Sequence, residues 1–428
     1  MNALPSLSLA LLPNPALRRD EPYGARRAAI LGAPALADAR REIGAWAGYA
    51  PTPLAALPAL AAALGVAEVR YKDEGSRFGL GSFKALGGAY AVGRLLCREL
   101  GRRLGRALSI AELADPAVRG LCAELTVTCA TDGNHGRSVA WGAQLFGCQC
   151  VIYIHATVSA GRKAAIEAFG AEVVRTGGNY DQAVQQADRD ARARGWHVIS
   201  DTSYPGYMDV PRDVMQGYQV MVAEAVEALP QWPTHVFIQA GVGGFAAAVC
   251  AYFWEREQGS GKGSGAGPRP VFVVVEPARA DCLMRSARAG AVTAVTGELD
   301  TLMAGLACGE VSLLAWEILA NGADAFCTIE DEAAVAVMRL LASPAGGDPA
   351  IVAGESAVAG LAAAIAAMQD PAARAALGLD ARSRLLLIGS EADTDPELYA
   401  RLVGRSADSV RAGRAQGADG MDNAEDAA

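Results

Sequence analysis

The stretch ELTVTCATDGNHGRSVAWGAQLFGCQCVIYI, Glu124–Ile154, decides the fold. It opens on a short apolar run, ELTVTCA (124–130), that is too short for a helix and rich in residues that suit a pleated strand. TDGNHG (131–136) follows as a turn, and an apolar helix is predicted from about Gly136 to Phe146. CQCVIYI (148–154) is again a strand. The rhythm continues outward with a helix over Ala160–Phe169, a strand over Ala171–Arg175, a helix over Tyr180–Ala193 and an extended His197–Ser200. A second series comprises a helix near Val214–Ala228, a strand Thr234–Gln239, a helix after Gly244, and strands Pro270–Glu276 and Arg384–Ile388. Strands that are apolar nearly throughout and alternate with helices predict parallel sheets covered on both faces. Two open α/β units with a site in the cleft between them are the expected architecture.

Composition bounds the rest. Of 428 residues, 52% are hydrophobic and 20% charged, which supports an extensive core and excludes global disorder. A net charge of -9 leaves no basic excess to displace counterions from a polyanion. The nine cysteines contain no CxxC, so buried thiols in a reducing compartment are expected. The four histidines stand at no metal-ligand spacing, and no metal is expected. MNALPSLSLALLPNP lacks a basic segment and is broken by prolines, and no apolar run reaches membrane-spanning length, so a soluble cytoplasmic protein is expected. Gln258–Arg269 (QGSGKGSGAGPR) is predicted as a flexible loop, and the chain from about Ser406 as a disordered tail.

Only four of the 38 basic residues are lysines: Lys72, Lys84, Lys163 and Lys262. Lys84 lies in YKDEGSRFGLGSFKALGG (71–88), where a strand leads through a glycine-interrupted loop into a helix. With Ser82 as N-cap, Lys84 is predicted in the first turn. There the helix dipole and partial burial push an amine toward its neutral, nucleophilic form, as imine chemistry requires. In TDGNHG, Asn134 offers a donor and Asp132 a proton acceptor at the carboxyl edge of a sheet; turn and capping duties explain the same residues. QAGVGGF (239–245) places Gly241, Val242, Gly243 and Gly244 between a strand and a helix, where backbone amides can converge on a phosphate; close packing is the plain alternative. Ser390, in LIGSEADTD (387–395), ends a late strand, where a hydroxyl can meet a ring nitrogen.

The order of these four signals resembles the pyridoxal-phosphate enzymes of the tryptophan-synthase-β type, known as fold type II. Within them, RFGLGSFKALGGAYA (77–91), ATDGNHGRSVAWGAQLFG (130–147), DTSYPGYMDVPRDVMQGY (201–218), VEPARADCL (275–283), TLMAGLACGE (301–310) and GSEADTDPELY (389–399) are similar to the diaminopropionate ammonia-lyase family. The resemblance implies pyridoxal 5'-phosphate as cofactor, held covalently by Lys84. It implies Asn134 at the ring hydroxyl, Gly241–Gly244 at the phosphate and Ser390 at the ring nitrogen. It implies ammonia elimination from 2,3-diaminopropionate with Lys84 and Asp132 as bases on opposite faces. Asp201 is a further candidate, as substrate-amine ligand, helper base or mere helix cap. It implies a homodimer, and a discontinuous cofactor-binding domain (residues 1–90 and 211–405) around a small α/β domain (91–210), with 406–428 as tail. A serine or threonine dehydratase and a catalytically silent cofactor-binding module are the competing readings. A Cys282–Cys308 pair and a cleft position for Glu276 and Glu310 are also expected. Residues 1–65 match no motif.

Overall fold

Eleven strands form two sheets in the computed structural model, which describes residues 4–131, 133–178, 180–257, 267–297 and 299–413, the Asp181 side chain excepted. They are β1 (Ala10–Pro13), β2 (Leu54–Ala56), β3 (Glu68–Asp73), β4 (Thr126–Ala130), β5 (Gln149–Ile154), β6 (Glu172–Arg175), β7 (His197–Val198), β8 (His235–Gln239), β9 (Val271–Pro277), β10 (Ala325–Ile329) and β11 (Arg384–Gly389). The larger sheet has the order β1-β10-β9-β8-β11-β3-β2 and the smaller β6-β5-β4-β7. The smaller sheet is parallel throughout. In the larger, five central strands are parallel, and β1 and β2 close its edges antiparallel. Both edge strands come from the N-terminal residues that match no motif, and β10 (AFCTI) also escaped the sequence reading. Short or half-buried strands carry little periodic signal, so the pairing shows them and the pattern does not.

Helices cover both faces of the larger sheet. AGLAAAIAAMQ (Ala359–Gln369) and the Gly244–Glu257 helix are apolar nearly all round and buried, as helices enclosed on every side must be. The Ala85–Leu104 helix lies between the Asn134–Phe146 helix of the smaller unit and the Asp209–Ala228 helix of the larger. It approaches the latter so closely that a Cβ on Gly217 would stand 1.9 Å from the Leu86 carbonyl oxygen, so only glycine fits the crossing.

Two expectations about flexible segments are corrected. Residues 407–413 are helical, with Ala407 and Val410 buried against the core, because the apolar residues of ADSV fall on one helix face. At the end of the Gly/Ser-rich segment, Arg269 is 4% exposed and stacks over Trp254. Its stem has apolar surface to cover, which the composition of the loop does not show. Residues 258–266 of that segment, including Lys262, and 414–428 lie outside the described residues.

Lys72, whose role the sequence left open, belongs to a buried network. Its Nζ donates to the Thr52 carbonyl (2.7 Å) and to Glu224 Oε2 (2.8 Å). Arg77 donates to Glu74 Oε2 (2.9 Å) and to both Glu224 oxygens (2.9 and 2.7 Å). All four side chains are 1% exposed or less. Two cations against two carboxylates leave no net charge in the interior, the condition under which buried ions are tolerated. Burial opposes the charge of Glu224, but the Arg77 and Lys72 bonds outweigh it and hold its carboxyl below the usual range. Removing one partner strands the others. Glu224→Ala is expected to cost about 3–5 kcal/mol in urea unfolding. Arg40→Ala, at the exposed Arg40–Glu227 pair, should cost less than about 1 kcal/mol. Because the Glu224 pKa is lowered on folding, its contribution is present above the ordinary glutamate range and lost as pH falls through the depressed value.

Candidate active site

β8, β11 and β3 are neighbours and run parallel, so their carboxyl ends open at one edge of the larger sheet. β8 leads into Gly241–Gly244, β11 into Ser390, and β3 through residues 74–83 to Lys84. The ends of β4 and β7 bring Asn134 and Asp201 from the smaller sheet. Contacts tie these segments together. The Phe83 N–H donates to the Ser390 carbonyl (3.0 Å), and the Phe83 ring meets Phe245 at 4.4 Å. Lys84 Nζ donates to Asp201 Oδ2 at 2.7 Å. Asn134 Nδ2 donates to Glu391, the residue after Ser390. Asp132 lies outside the described residues.

Lys84 is the residue before the Ala85–Leu104 helix rather than within its first turn, and Ser82 makes no cap but pairs with Glu391 in an isolated bridge. The expected neutral amine is also corrected. Burial does oppose its charge, but the Asp201 carboxylate beside it outweighs burial and raises the pKa above that of an ordinary lysine. Asp201 is held low by the same pairing, although burial pushes it up. The two side chains are 19% and 21% exposed, partly shielded from water, where an ion pair is stronger than at the surface. Asp201 therefore caps no helix. The capping role expected of the TDGNHG turn falls to Thr131, whose Oγ1 accepts from the Gly133 and Gly136 N–H groups at 3.0 Å each. His135 is buried, with Nε2 against the Ile199 carbonyl at 2.8 Å.

At the glycine loop, Gly243 has φ +97°, a conformation that residues with a Cβ rarely adopt. The Ser312 N–H donates to the Val242 carbonyl (2.9 Å), and Ser312 Oγ stands 2.7 Å from Ser203 Oγ, which links the loop to the Asp201 segment. Cys282 and Cys308 both border the loop as thiols, so of the bond or close pair expected there the bond is not formed; Cys282 Sγ faces the Gly241 and Glu310 carbonyls at 3.7 Å each. Glu276 does not line the cleft. It is fully buried and accepts from Leu283 (2.8 Å) and Met284 (2.7 Å) at the start of the Cys282–Ala289 helix, while burial pushes its carboxyl up to about 8. Glu310 is exposed.

A lysine amine, a glycine loop at a helix start, a carboxamide and a hydroxyl at the mouth of a parallel sheet have counterparts among known proteins. Residues 45–388 match the pyridoxal-phosphate dependent enzyme family. The chain belongs to that family. Diaminopropionate ammonia-lyase of Escherichia coli K12 is 40% identical over 365 residues, covering 83% of this chain and 88% of that protein. The Salmonella typhimurium enzyme is 41% identical over 373 residues, covering 84% and 90%. The crystal structure of the holo Escherichia coli enzyme superposes with a TM-score of 0.83 at 37% identity, covering 94% of this chain and 97% of that one.

The described residues fit the family's cofactor. The first turn of a helix leaves N–H groups without intrahelical acceptors, and no acidic side chain stands in the first turn of Gly244–Glu257 to meet them, so a phosphate suits that end. Lys84 offers an amine beside Asp201, Asn134 a carboxamide bonded to Glu391, and Ser390 a hydroxyl next to Glu391 in the chain. Sequence reasoning missed Thr131, Tyr218, Glu391 and the partly buried Glu355–Arg162 pair (3.0 Å). Tyr218 puts its ring 5.8 Å from Lys84 Nζ and sits inside a quoted segment, but nothing in that segment signals which aromatic faces inward. The Asp201→Asn substitution should leave burial unopposed at Lys84 and drop its pKa. A ¹³C-methylated Lys84 followed by NMR titration of the cofactor-free protein reads this directly, and an unmoved midpoint contradicts the pairing.

Proposed function

We propose that the protein eliminates ammonia from 2,3-diaminopropionate, releasing pyruvate and a second ammonia once water hydrolyses the enamine product. The observation that carries the reading is the Lys84–Asp201 pair at the mouth between the two sheets. Support comes from relatives at 40% and 41% identity named for this activity, and from an Escherichia coli relative solved with an aminoacrylate–PLP azomethine reaction intermediate. Bound pyridoxal phosphate supplies an electron sink that makes the substrate's α-hydrogen acidic. Lys84 Nζ would hold the cofactor covalently. Gly241, Val242, Gly243 and Gly244 would hold the phosphate through backbone N–H groups, Asn134 would meet the ring hydroxyl and Ser390 the ring nitrogen.

The chain's own groups then manage charge and protons. With the cofactor bound, Lys84 Nζ would be the group that takes the substrate's α-proton from one face. Asp132 takes it from the other, which lets one site process both isomers. With Nζ engaged by the cofactor, Asp201 would be a carboxylate without its present partner in a half-dry site. There it is the acceptor for the substrate's second ammonium, the group that distinguishes a diamine from serine. The reading extends to a homodimer in the cytoplasm. The nine cysteines carry no disulfide among the described residues. No helix among the described residues is long and apolar enough to cross a membrane.

Pyruvate should form from D- and L-2,3-diaminopropionate faster than from serine, and 2-oxobutanoate from threonine should be slower still; the reverse order favours the dehydratase. Lys84→Ala should abolish both activities. Asp132→Asn should lose D-isomer turnover by about 10²–10⁴-fold, the usual contribution of a positioned base, and L-isomer turnover far less. Equal losses on the two isomers would remove Asp132 from its assigned face.

A further inference from the structure

Tyr218 stands on the Asp209–Ala228 helix with its ring centre 5.8 Å from Lys84 Nζ. The residue is 1% exposed, and its hydroxyl oxygen is buried without a hydrogen-bond partner among the described residues. A buried hydroxyl left unmatched is costly and calls for a reason. Two glycines bring the ring to this place. Gly217 permits the close crossing of the two helices, as described above. Gly87, in the first turn of the Ala85–Leu104 helix, leaves the space that the ring fills: a Cβ there would lie 2.3 Å from Tyr218 Cε1 and 2.8 Å from Cζ. The Phe83 ring packs against it at 4.6 Å. Lys84 Nζ, as an ammonium, carries three hydrogens and gives one to Asp201, its one hydrogen-bond partner among the described residues. The other titratable groups that act on Nζ are Tyr218, Cys308 and His135.

We propose that Tyr218 is a positioning residue whose hydroxyl oxygen is the second acceptor for Lys84 Nζ, holding the amine on its face of the substrate once Asp201 turns to the substrate's second ammonium. This rests on the roles given above to Lys84 and Asp201. A carboxylate is the stronger acceptor, so Nζ faces Asp201 in the unliganded site and the hydroxyl is left unmatched. An ammonium has no lone pair, so toward it the phenol oxygen can only accept. In the proton transfer, the C–H bond at the α-carbon breaks and its electron pair stays with the carbon skeleton; the proton forms a new N–H bond on the Nζ lone pair. Tyr218 gives and takes no proton, since burial raises its pKa and keeps the hydroxyl protonated. It stabilises the ammonium that results, at the stage when Asp201 is occupied.

The test removes one oxygen and keeps the ring. Cofactor-free Asp201→Asn protein, with Lys84 ¹³C-methylated, is the background, because it brings the Lys84 midpoint down. Adding Tyr218→Phe should lower that midpoint by about one further pH unit, the size of a hydrogen bond to a charged group. Adding Tyr399→Phe, whose hydroxyl is also buried and unpartnered but lies in the other core cluster, should leave it in place. In the holoenzyme with Asp201 intact, Tyr218→Phe should lower kcat for the L-isomer about tenfold, at unchanged KM, and kcat for the D-isomer far less. Should Tyr218→Phe not fold, Gly87→Ala, which drives the ring from Lys84 and keeps the hydroxyl, is read against the same standard. An unmoved midpoint overturns the proposal. So does a rise, which would make the hydroxyl a donor to the neutral amine, and so do equal losses on the two isomers. A lowered midpoint in a protein that does not turn over diaminopropionate overturns the proposed function and leaves the Lys84–Tyr218 contact standing. Turnover with an unmoved midpoint overturns this proposal alone.

Discussion

The insertion of β11 between β3 and β8 is the constraint on which the rest of the site depends. Its register sets Gly389 opposite Asp73 and Leu387 opposite Phe237. Parallel pairing aligns the carboxyl ends of all three strands, so the lysine loop, the glycine loop and the late serine emerge side by side although they are far apart in the chain. A shift of one residue would turn every side chain of β11 to the opposite face and take Ser390 away from the opening. The strand is buried and apolar on both sides, so its place in the sheet is held by hydrophobic burial and by the full ladder of backbone bonds.

Electrostatics around Lys84 follow from what burial leaves uncompensated. Helix-start position and desolvation both act against an ammonium, and on those grounds a lysine there reads as neutral. A single carboxylate at 2.7 Å reverses the outcome, since attraction at that distance in a half-dry site exceeds both. The same principle, with neither partner solvated, stabilises Lys72. There two carboxylates and two cations cancel, and the residue is spent on holding the entrance of the lysine loop to the Asp209–Ala228 helix. Two lysines in the same loop region thus have opposite fates, one locked and one paired with a partner it can leave.

The α/β rhythm from Glu124 onward was legible because short apolar strands and glycine-ended turns are local signals. Lys84, Asn134, Gly241–Gly244 and Ser390 stood out for the same reason: each lies in the loop that follows a strand. Of the four lysines, Lys163 pairs with Glu167 one helical turn away and Lys72 is enclosed, which strengthens the choice of Lys84. What stayed hidden depends on tertiary pairing. β1, β2 and β10 are recognised only by their neighbours. The burial of Ala407 and Val410 needs a core against which a polar-looking segment can lie. Asp201 and Lys84 are distant in sequence, so no local pattern announces their contact or its effect on the amine. Glu391 and Tyr218 are ordinary residues until their partners are known.

The two units are joined in two chemically different ways. Behind the site, the Ala85–Leu104 helix is packed on one side by the Asn134–Phe146 helix and on the other by Asp209–Ala228, in apolar contact close enough to exclude a Cβ at Gly217. At the mouth, three polar contacts run from one unit to the other: Lys84 with Asp201, Asn134 with Glu391, Arg162 with Glu355. Opening the apolar seam would expose buried surface and leave voids, at a cost that grows with area. Opening the polar mouth exchanges protein partners for water or for a ligand, a net change of only about 0.5–1.5 kcal/mol for an ordinary hydrogen bond and more for charged ones. The side held by polar bonds is thus the side whose bonds a charged ligand can replace.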